Sequence, residues 1–179
     1  AWQASLTSDV LLAIISHTTY GSSYRNPVSD IAAHARPLGI FTVLDVAQSV
    51  GIIPTSAYTL GVDVIVGSCV KWLCGGAGAG FIWVSPSTQN LQPKGGGWFA
   101  KRSIFSEDMY DTSFAETGWK WMDGTPNPLA IMSATAAIQK VLTIGTHTIH
   151  RHNQEMLDVL HKEVHGFDII SPTEPSRRG

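Results

Sequence analysis

Two segments decide the fold of this chain: Val43-Leu-Asp-Val-Ala-Gln-Ser-Val-Gly51 and Leu60-Gly-Val-Asp-Val-Ile-Val-Gly-Ser-Cys-Val-Lys-Trp-Leu-Cys-Gly-Gly-Ala-Gly78. Each contains a short apolar run followed by polar and glycine residues, a pattern typical of a buried strand and the turn after it. Ligands bind beyond the carboxyl ends of parallel strands. We therefore expect Asp45, Ser68 and Lys71, which lie at or after such ends, to face one crevice.

Short apolar runs alternate with helical patterns in the rest of the first half. The predicted strands cover 10–16, 41–45, 62–67 and 81–84, and the predicted helices cover 27–38 and 55–60. We expect Asn26 to cap the first helix, Gly39 to stop it, and the first strand to be buried on both faces. This alternation predicts an α/β domain with a mainly parallel sheet flanked by helices.

The second half begins with a long segment rich in glycine and aromatic residues, from 85 to about 124, which we expect to line a site. Helices are predicted at 128–144 and 146–164, separated by Gly145, and a further strand at 167–170. The chain begins without Met, and its polar tail stops without completing a unit. We therefore expect a piece of a larger protein.

Composition narrows the functional classes. Of the 179 residues 44% are hydrophobic and 15% charged, and the net charge is −2. No basic stripe indicates nucleic acid, no apolar run is long enough for a membrane span, and we expect no membrane partner. Cys69 and Cys74 predict no disulfide framework or zinc site; we expect core positions for both and a cytoplasmic location. The histidines of the last helix favour a solvated face, so no metal site is predicted.

Asp45 and Lys71 are the main chemical signal. If both were buried in one crevice, each charge would lose hydration, which is costly. From the residues alone, a structural ion pair and a functional site remain open.

The two opening segments resemble the cofactor-binding core of the class V aminotransferase superfamily, the pyridoxal-phosphate (PLP) enzymes of fold type I. The shared pattern is Asp-x-Ala-(His/Gln)-Ser-x-Gly, then Gly-(Val/Ala)-Asp, then Lys before a glycine-rich turn. Asp45 and Lys71 lie 26 positions apart, as in that family. Gly124-Thr-Pro-Asn127 resembles a further signature of the family.

The resemblance implies a PLP cofactor and the role of each matching residue. Lys71 would carry PLP and act as acid and base, and Asp45 would face the pyridine nitrogen. Gln48 would contact the ring hydroxyl or the phosphate region, and Ser68 the phosphate. His17 would support the ring or the substrate. It also implies a homodimer in which Thr125 reaches the phosphate of the neighbouring subunit's cofactor.

Within the superfamily the chain is most similar to kynureninase. Gly95-Gly-Gly-Trp-Phe99 resembles the segment whose Trp, here Trp98, contacts the phosphate, and an aromatic loop suits an aromatic amino-acid substrate. The expected reaction is hydrolytic Cβ–Cγ cleavage of an amino acid. Kynureninases usually have His at the position of Gln48 and Tyr at that of Val70. Gln48 favours instead cysteine desulfurase, selenocysteine lyase or epimerase branches, and an inactive PLP fold is a further alternative.

The resemblance also predicts the domain organisation. Residues 1–145 would belong to the PLP-binding large domain. Residues 146–179 would form a linking helix and the start of a C-terminal small domain.

Overall fold

The centre of the molecule is a four-stranded sheet in the order β1 (Leu12–Ser16), β2 (Phe41–Asp45), β3 (Val64–Ser68) and β4 (Gly80–Val84). The computed structural model describes residues 2–106, 108 and 110–179. β1 and β3 both run parallel to β2, whereas β4 is antiparallel to β3. The predicted mainly parallel α/β architecture is confirmed.

The helices are α1 (Trp2–Ser5), α2 (Val28–Ala35), α3 (Ala57–Leu60), α4 (Pro128–Ile144) and α5 (Thr146–Glu163). α4 has the predicted bounds because Asn127 caps it, its Oδ1 accepting from the N–H groups of Leu129 and Ala130. Gly145 then breaks the chain between α4 and α5 with a φ of 86°.

α2 differs from its prediction at both ends. It begins one residue later than expected, because the Asn26 side chain is used elsewhere. Its amide donates to the Ser16 carbonyl, and its oxygen accepts from the Trp2 indole N–H. At the other end Pro37 cannot donate an α-helical hydrogen bond, so 36–38 form a 3-10 turn. Gly39 ends the segment in the left-handed conformation, as predicted.

Among the described residues, helices pack closely against one face of the sheet, whereas the opposite face is exposed at β1 although Val64 of β3 is buried there. The helix-covered face, which we call the core face, contains Ile15, Leu44 and Ile65, which are buried with residues of α2 in the main hydrophobic cluster. The opposite face, which we call the open face, contains Leu12 and Ile14, and Ile14 is 65% exposed. The prediction that β1 is buried on both faces was therefore wrong: no described element packs over its outer side chains.

Between β4 and α4 the described residues form 3-10 turns and one isolated bridge between Lys101 and Phe114; whether this loop lines a site stays a prediction. The strand predicted at 167–170 does not form. These residues have no neighbouring strand to pair with in the described part of the chain, so their backbone gains no ladder hydrogen bonds.

The C-terminal tail is held by a buried arginine. Arg178 is 1% exposed and donates to Gln154 and Asp158 of α5, 2.6 Å from the Asp158 carboxylate. That hydrogen bond lowers the pKa of the Asp158 carboxyl. The tail also bonds to the loop after β1, where Gly179 N–H donates to the Ser23 carbonyl at 2.8 Å. Gln154 and Asp158 therefore tie the tail to α5, although no residue of this helix is fully buried.

Within the described residues no single helix is both long and apolar enough to cross a membrane; α4 and α5 meet that test only as a pair bent by 77°. The same residues include no group of three or more His, Cys, Asp or Glu placed to hold a metal ion.

Candidate active site

Asp45 ends β2 at the carboxyl edge of the sheet. It is in register with Ser16 of β1 and Val66 of β3, so these side chains point to the same face, the open one. Its Oδ1 accepts from the Ala47 N–H at 2.8 Å, which fixes the carboxylate. Oδ2 has no hydrogen-bond partner among the described residues. Oδ2 of this half-buried carboxylate is therefore oriented and available to accept a hydrogen bond.

Ser68 and Lys71 follow the neighbouring strand. Ser68 lies two residues beyond Val66 and so shares the open face with Asp45. The Ser68 hydroxyl accepts from the Val70 N–H at 3.4 Å and keeps its own hydrogen available. Lys71 lies on the turn after β3 and is exposed rather than buried. Its ammonium has no partner among the described residues, so no Asp45–Lys71 ion pair forms.

Close backbone packing joins the turn after Asp45 to the turn around Lys71. Gly51 has a φ of 94°, and a Cβ there would lie 3.0 Å from the Trp72 carbonyl oxygen. On the other side, a Cβ on Gly75 would lie 2.9 Å from the Cα of Ala134 in α4. The segment carrying Lys71 is thus fixed between the Asp45 turn and α4.

Two further predicted residues, Gln48 and His17, differ in burial. Gln48 lies half-buried in the turn after Asp45. His17 is 2% exposed, and its Nδ1 shares a 2.8 Å hydrogen bond with the buried Ser49 hydroxyl. His17 lies one residue beyond the end of β1, and its side chain is buried against Ser49 rather than exposed on the open face. Burial, and then the Arg25 cation, lower its pKa to about 4, so the imidazole is neutral near pH 7.

Trp98 and Thr125 come from separate motifs and meet directly. The Trp98 indole Nε1–H donates to the Thr125 hydroxyl at 3.2 Å, and both residues are exposed. Phe99 and Phe105 meet the Trp98 ring edge to face, with centroids 5.8 and 6.2 Å away. We call Trp98, Phe99 and Phe105 the aromatic cluster.

A glycine makes this contact between the two motifs possible. A Cβ on Gly97 would lie 1.6 Å from the Asp123 carbonyl oxygen. The backbones therefore touch where no other residue fits. The sequence pattern contained Ser49, Gly51 and Gly97 but signalled no role for any of them; their roles depend on which segments meet in space.

The two thiols differ. Cys69 is buried, and burial raises the pKa of its thiol, so it stays protonated. Cys74 is exposed, so the expectation of a core position was wrong for it. It sits in the tight turn after Lys71 with a φ of 55°, and its N–H donates to the Lys71 carbonyl at 2.9 Å.

Comparison with known proteins identifies the family. Residues 1–178 match the family model described as aminotransferase class-V, and the chain belongs to this family. The family consists of PLP-dependent enzymes, which confirms the resemblance seen in the sequence.

The relatives are named for different reactions. A kynureninase of Pseudomonas fluorescens is 23% identical over 98% of this chain and 44% of its own length. A cysteine desulfurase of Yersinia pestis is 31% identical over 83% of this chain and 37% of its own length. The apo structure of a cysteine desulfurase from Thermococcus onnurineus has a TM-score of 0.81 at 19% identity, covering 99% of this chain and 44% of its own.

The chain thus spans about two fifths of the length of these relatives. The structural likeness confirms the fold type I architecture. The identities leave the individual reaction undecided.

Proposed function

We propose that this class V aminotransferase chain holds PLP at the carboxyl edge of its sheet and acts on an amino acid. The observation that carries the proposal is the placement of Asp45 and Ser68 on one face, with Lys71 on the adjoining turn. Each has unused capacity: Asp45 Oδ2, the Ser68 hydroxyl hydrogen and the Lys71 ammonium have no partner among the described residues.

The chemistry of these groups fits PLP. A carboxylate suits a protonated pyridine nitrogen, a hydroxyl suits a phosphate oxygen, and a lysine amine suits the aldehyde carbon. The open face next to them is apolar, as an aromatic ring requires. Gln48 would complete the set beside the ring hydroxyl or the phosphate. His17 is the member that fits least, since its buried side chain is engaged with Ser49.

In the proposed mechanism each residue acts at a stated atom. Lys71 Nζ takes the proton from the substrate's Cα and later returns it. Asp45 Oδ2 keeps a proton on the pyridine nitrogen. PLP, when bound, supplies the electron sink that stabilises the negative charge left on Cα. The Ala47 N–H holds the Asp45 carboxylate in one orientation throughout.

For the substrate we propose kynureninase-like hydrolysis. Water is added across the Cβ–Cγ bond of kynurenine, so that one product is anthranilate and the other alanine. The aromatic cluster supports this, because exposed Trp and Phe rings offer faces and edges to an aryl side chain.

Cysteine desulfurase or selenocysteine lyase activity is the second candidate. The 31% identity to a desulfurase favours it, together with Gln48 in the Asp-x-Ala-Gln pattern. Of the chain's cysteines, Cys69 is unsuited to accept sulfur because its thiol is buried and protonated. A sulfur acceptor among the described residues would have to be Cys74.

We also propose a homodimer with shared active sites. Trp98 and Thr125 are bonded to each other and both remain exposed, so they can meet one phosphate together. We assign that phosphate to the cofactor of the neighbouring subunit. In domain terms, residues 1–145 would form part of the large domain, and 146–179 the linking helix and the start of the small domain.

The test begins with reduction of the PLP-saturated protein by borohydride, followed by peptide mapping. The expected result is a pyridoxyl group on Lys71 Nζ and none on the Lys71→Arg variant. Labelling of another lysine would overturn the cofactor assignment.

The same preparation then decides the reaction. With kynurenine as substrate, the protein should produce anthranilate, which is detected by its fluorescence. With cysteine as substrate, it should release no sulfide. If the protein releases sulfide from cysteine and forms no anthranilate from kynurenine, the kynureninase-like proposal is wrong and the desulfurase candidate takes its place. Neither product, with Lys71 labelled, would indicate a PLP fold without either activity.

A further inference from the structure

A polar cavity lies beside the loop after β1, and Asp45 is not among the residues that line it. It has a volume of about 580 Å³, and its walls include His17, Arg25, Ser29, Asp30, Ser176 and Arg177. The loop after β1, the first turn of α2 and the C-terminal tail enclose it. The backbone N–H of Arg25 donates to the backbone carbonyl of Arg177 at 2.7 Å, and this hydrogen bond joins the loop to the tail.

One arginine of this cavity has no direct partner in the described chain. Arg25 is half-buried, and its guanidinium has no ion pair or hydrogen bond among the described residues. Arg177, by contrast, pairs with Glu174 at 3.3 Å. The Asp30 carboxylate also lines the cavity, without bonding either arginine within the described chain. An unpaired, half-buried guanidinium loses hydration without compensation, which favours an anionic ligand.

The first turn of α2 adds neutral donors. No side chain caps α2, and the N–H groups of Ser29 and Asp30 have no acceptor among the described residues. Uncapped N–H groups at a helix N-terminus carry partial positive charge and bind anions.

His17 provides a second, independent sign of a ligand. Although the residue is 2% exposed, its imidazole lines the cavity. Nδ1 is bonded to Ser49, whereas Nε2 has no partner among the described residues. This ring nitrogen is therefore free to bond to a molecule bound in the cavity.

We propose that this cavity binds a small oxyanion, the carboxylate or phosphate group of a metabolite, with Arg25 as counter-ion and the Ser29 and Asp30 N–H groups as donors. The site is separate from the proposed PLP site, because Asp45, Ser68 and Lys71 do not line this cavity. A bound anion would link the loop after β1 to the C-terminal tail.

The binding test is a titration of the intact, isotopically labelled protein with inorganic phosphate, and in parallel with succinate, at constant ionic strength. The Ser29 and Asp30 amide signals should shift and saturate. The two ligands show whether phosphate or carboxylate is preferred. Phosphate at the proposed PLP site would instead shift the Trp98 indole signal, so the two sites are read separately.

Variants then test the role of Arg25. Arg25→Gln should weaken binding roughly tenfold or more, as expected for loss of a charge-assisted contact, and Arg25→Lys should retain part of it. The matched control is Arg102→Gln, which removes an exposed arginine paired with Glu116 outside the cavity and should change affinity less than about twofold.

The His17 ring provides a further readout. Burial, and then the Arg25 cation, lower the His17 pKa; an anion paired with Arg25 offsets the second cause, so the titration midpoint of His17 should rise on binding. Two results would overturn the proposal. One is a shift of the Ser29 and Asp30 amide signals that rises linearly with ligand concentration and does not saturate. The other is the same shift in wild type and in the folded Arg25→Gln variant.

Discussion

The backbone of Gly51 lies against that of Trp72, so close that a Cβ at residue 51 would sit 3.0 Å from the Trp72 carbonyl oxygen. Gly51 belongs to the turn that follows Asp45, and Trp72 directly follows Lys71. One contact between backbones thus sets the position of the proposed cofactor lysine relative to its carboxylate.

Replacement of Gly51 by Ala should lower the free energy of unfolding by about 1–3 kcal/mol. The added methyl group meets backbone atoms, and the φ of 94° is strained for any residue with a Cβ. Urea denaturation measures the change. The matched control is Gly21→Ala, where the added Cβ meets no atom within 4 Å. An equal effect at both positions would contradict the packing argument.

Asp45→Asn should keep much of the PLP affinity but lower kcat by about a hundredfold or more, because an amide cannot hold the pyridinium proton. Absorbance measures cofactor occupancy, and steady-state assays measure turnover. The exposed Asp168 supplies the control variant, Asp168→Asn, which should behave as wild type. Near-normal turnover of Asp45→Asn would rule out its proposed role.

Thr125→Ala should weaken PLP binding by about tenfold and leave Lys71 reactive to borohydride labelling. The change removes the Thr125 hydroxyl, which is also the acceptor for the Trp98 indole N–H. Fluorescence titration of PLP measures the change. Thr143→Ala removes a hydroxyl from an exposed face of α4 and serves as the control.

If the sites are shared, PLP affinity should also fall when the protein is diluted below its dimer dissociation constant. Sedimentation at matched concentrations gives the oligomeric state. A fully PLP-saturated, active monomer would contradict the shared site.

The buried His17 predicts a loss of stability in acid. Its pKa is about 4 in the folded chain, mainly because of burial, against an ordinary value of 6.5. Between these values the unfolded chain binds a proton that the folded chain does not. The free energy of unfolding should therefore fall as the pH falls from about 6.5 to 4, by up to roughly 3 kcal/mol.

The measurement is urea denaturation at a series of pH values. His17→Gln cannot titrate and should show a flatter profile in that window. His165→Gln replaces an exposed histidine and should leave the profile unchanged. The pKa of His150 is lowered too, again mainly by burial, so only the difference between wild type and His17→Gln isolates His17. Parallel profiles for these two proteins would exclude His17 as the cause.

The sequence by itself determined the local elements and the residues at their ends. The bounds of β2 and α4 follow from an apolar run ending on Asp45, and from Asn127, Pro128 and Gly145, because strand alternation, capping and helix termination act within a few residues. The motif spacing also indicated the family and the positions of Asp45, Ser68 and Lys71.

Only the tertiary structure decided which side chains share a face and which are covered. It left Lys71 and Cys74 exposed, buried His17 against Ser49, gave β4 the antiparallel direction and brought Trp98 to Thr125. These outcomes depend on packing between segments far apart in the chain. Burial and pairing are properties of such contacts, so no local pattern of residues specifies them.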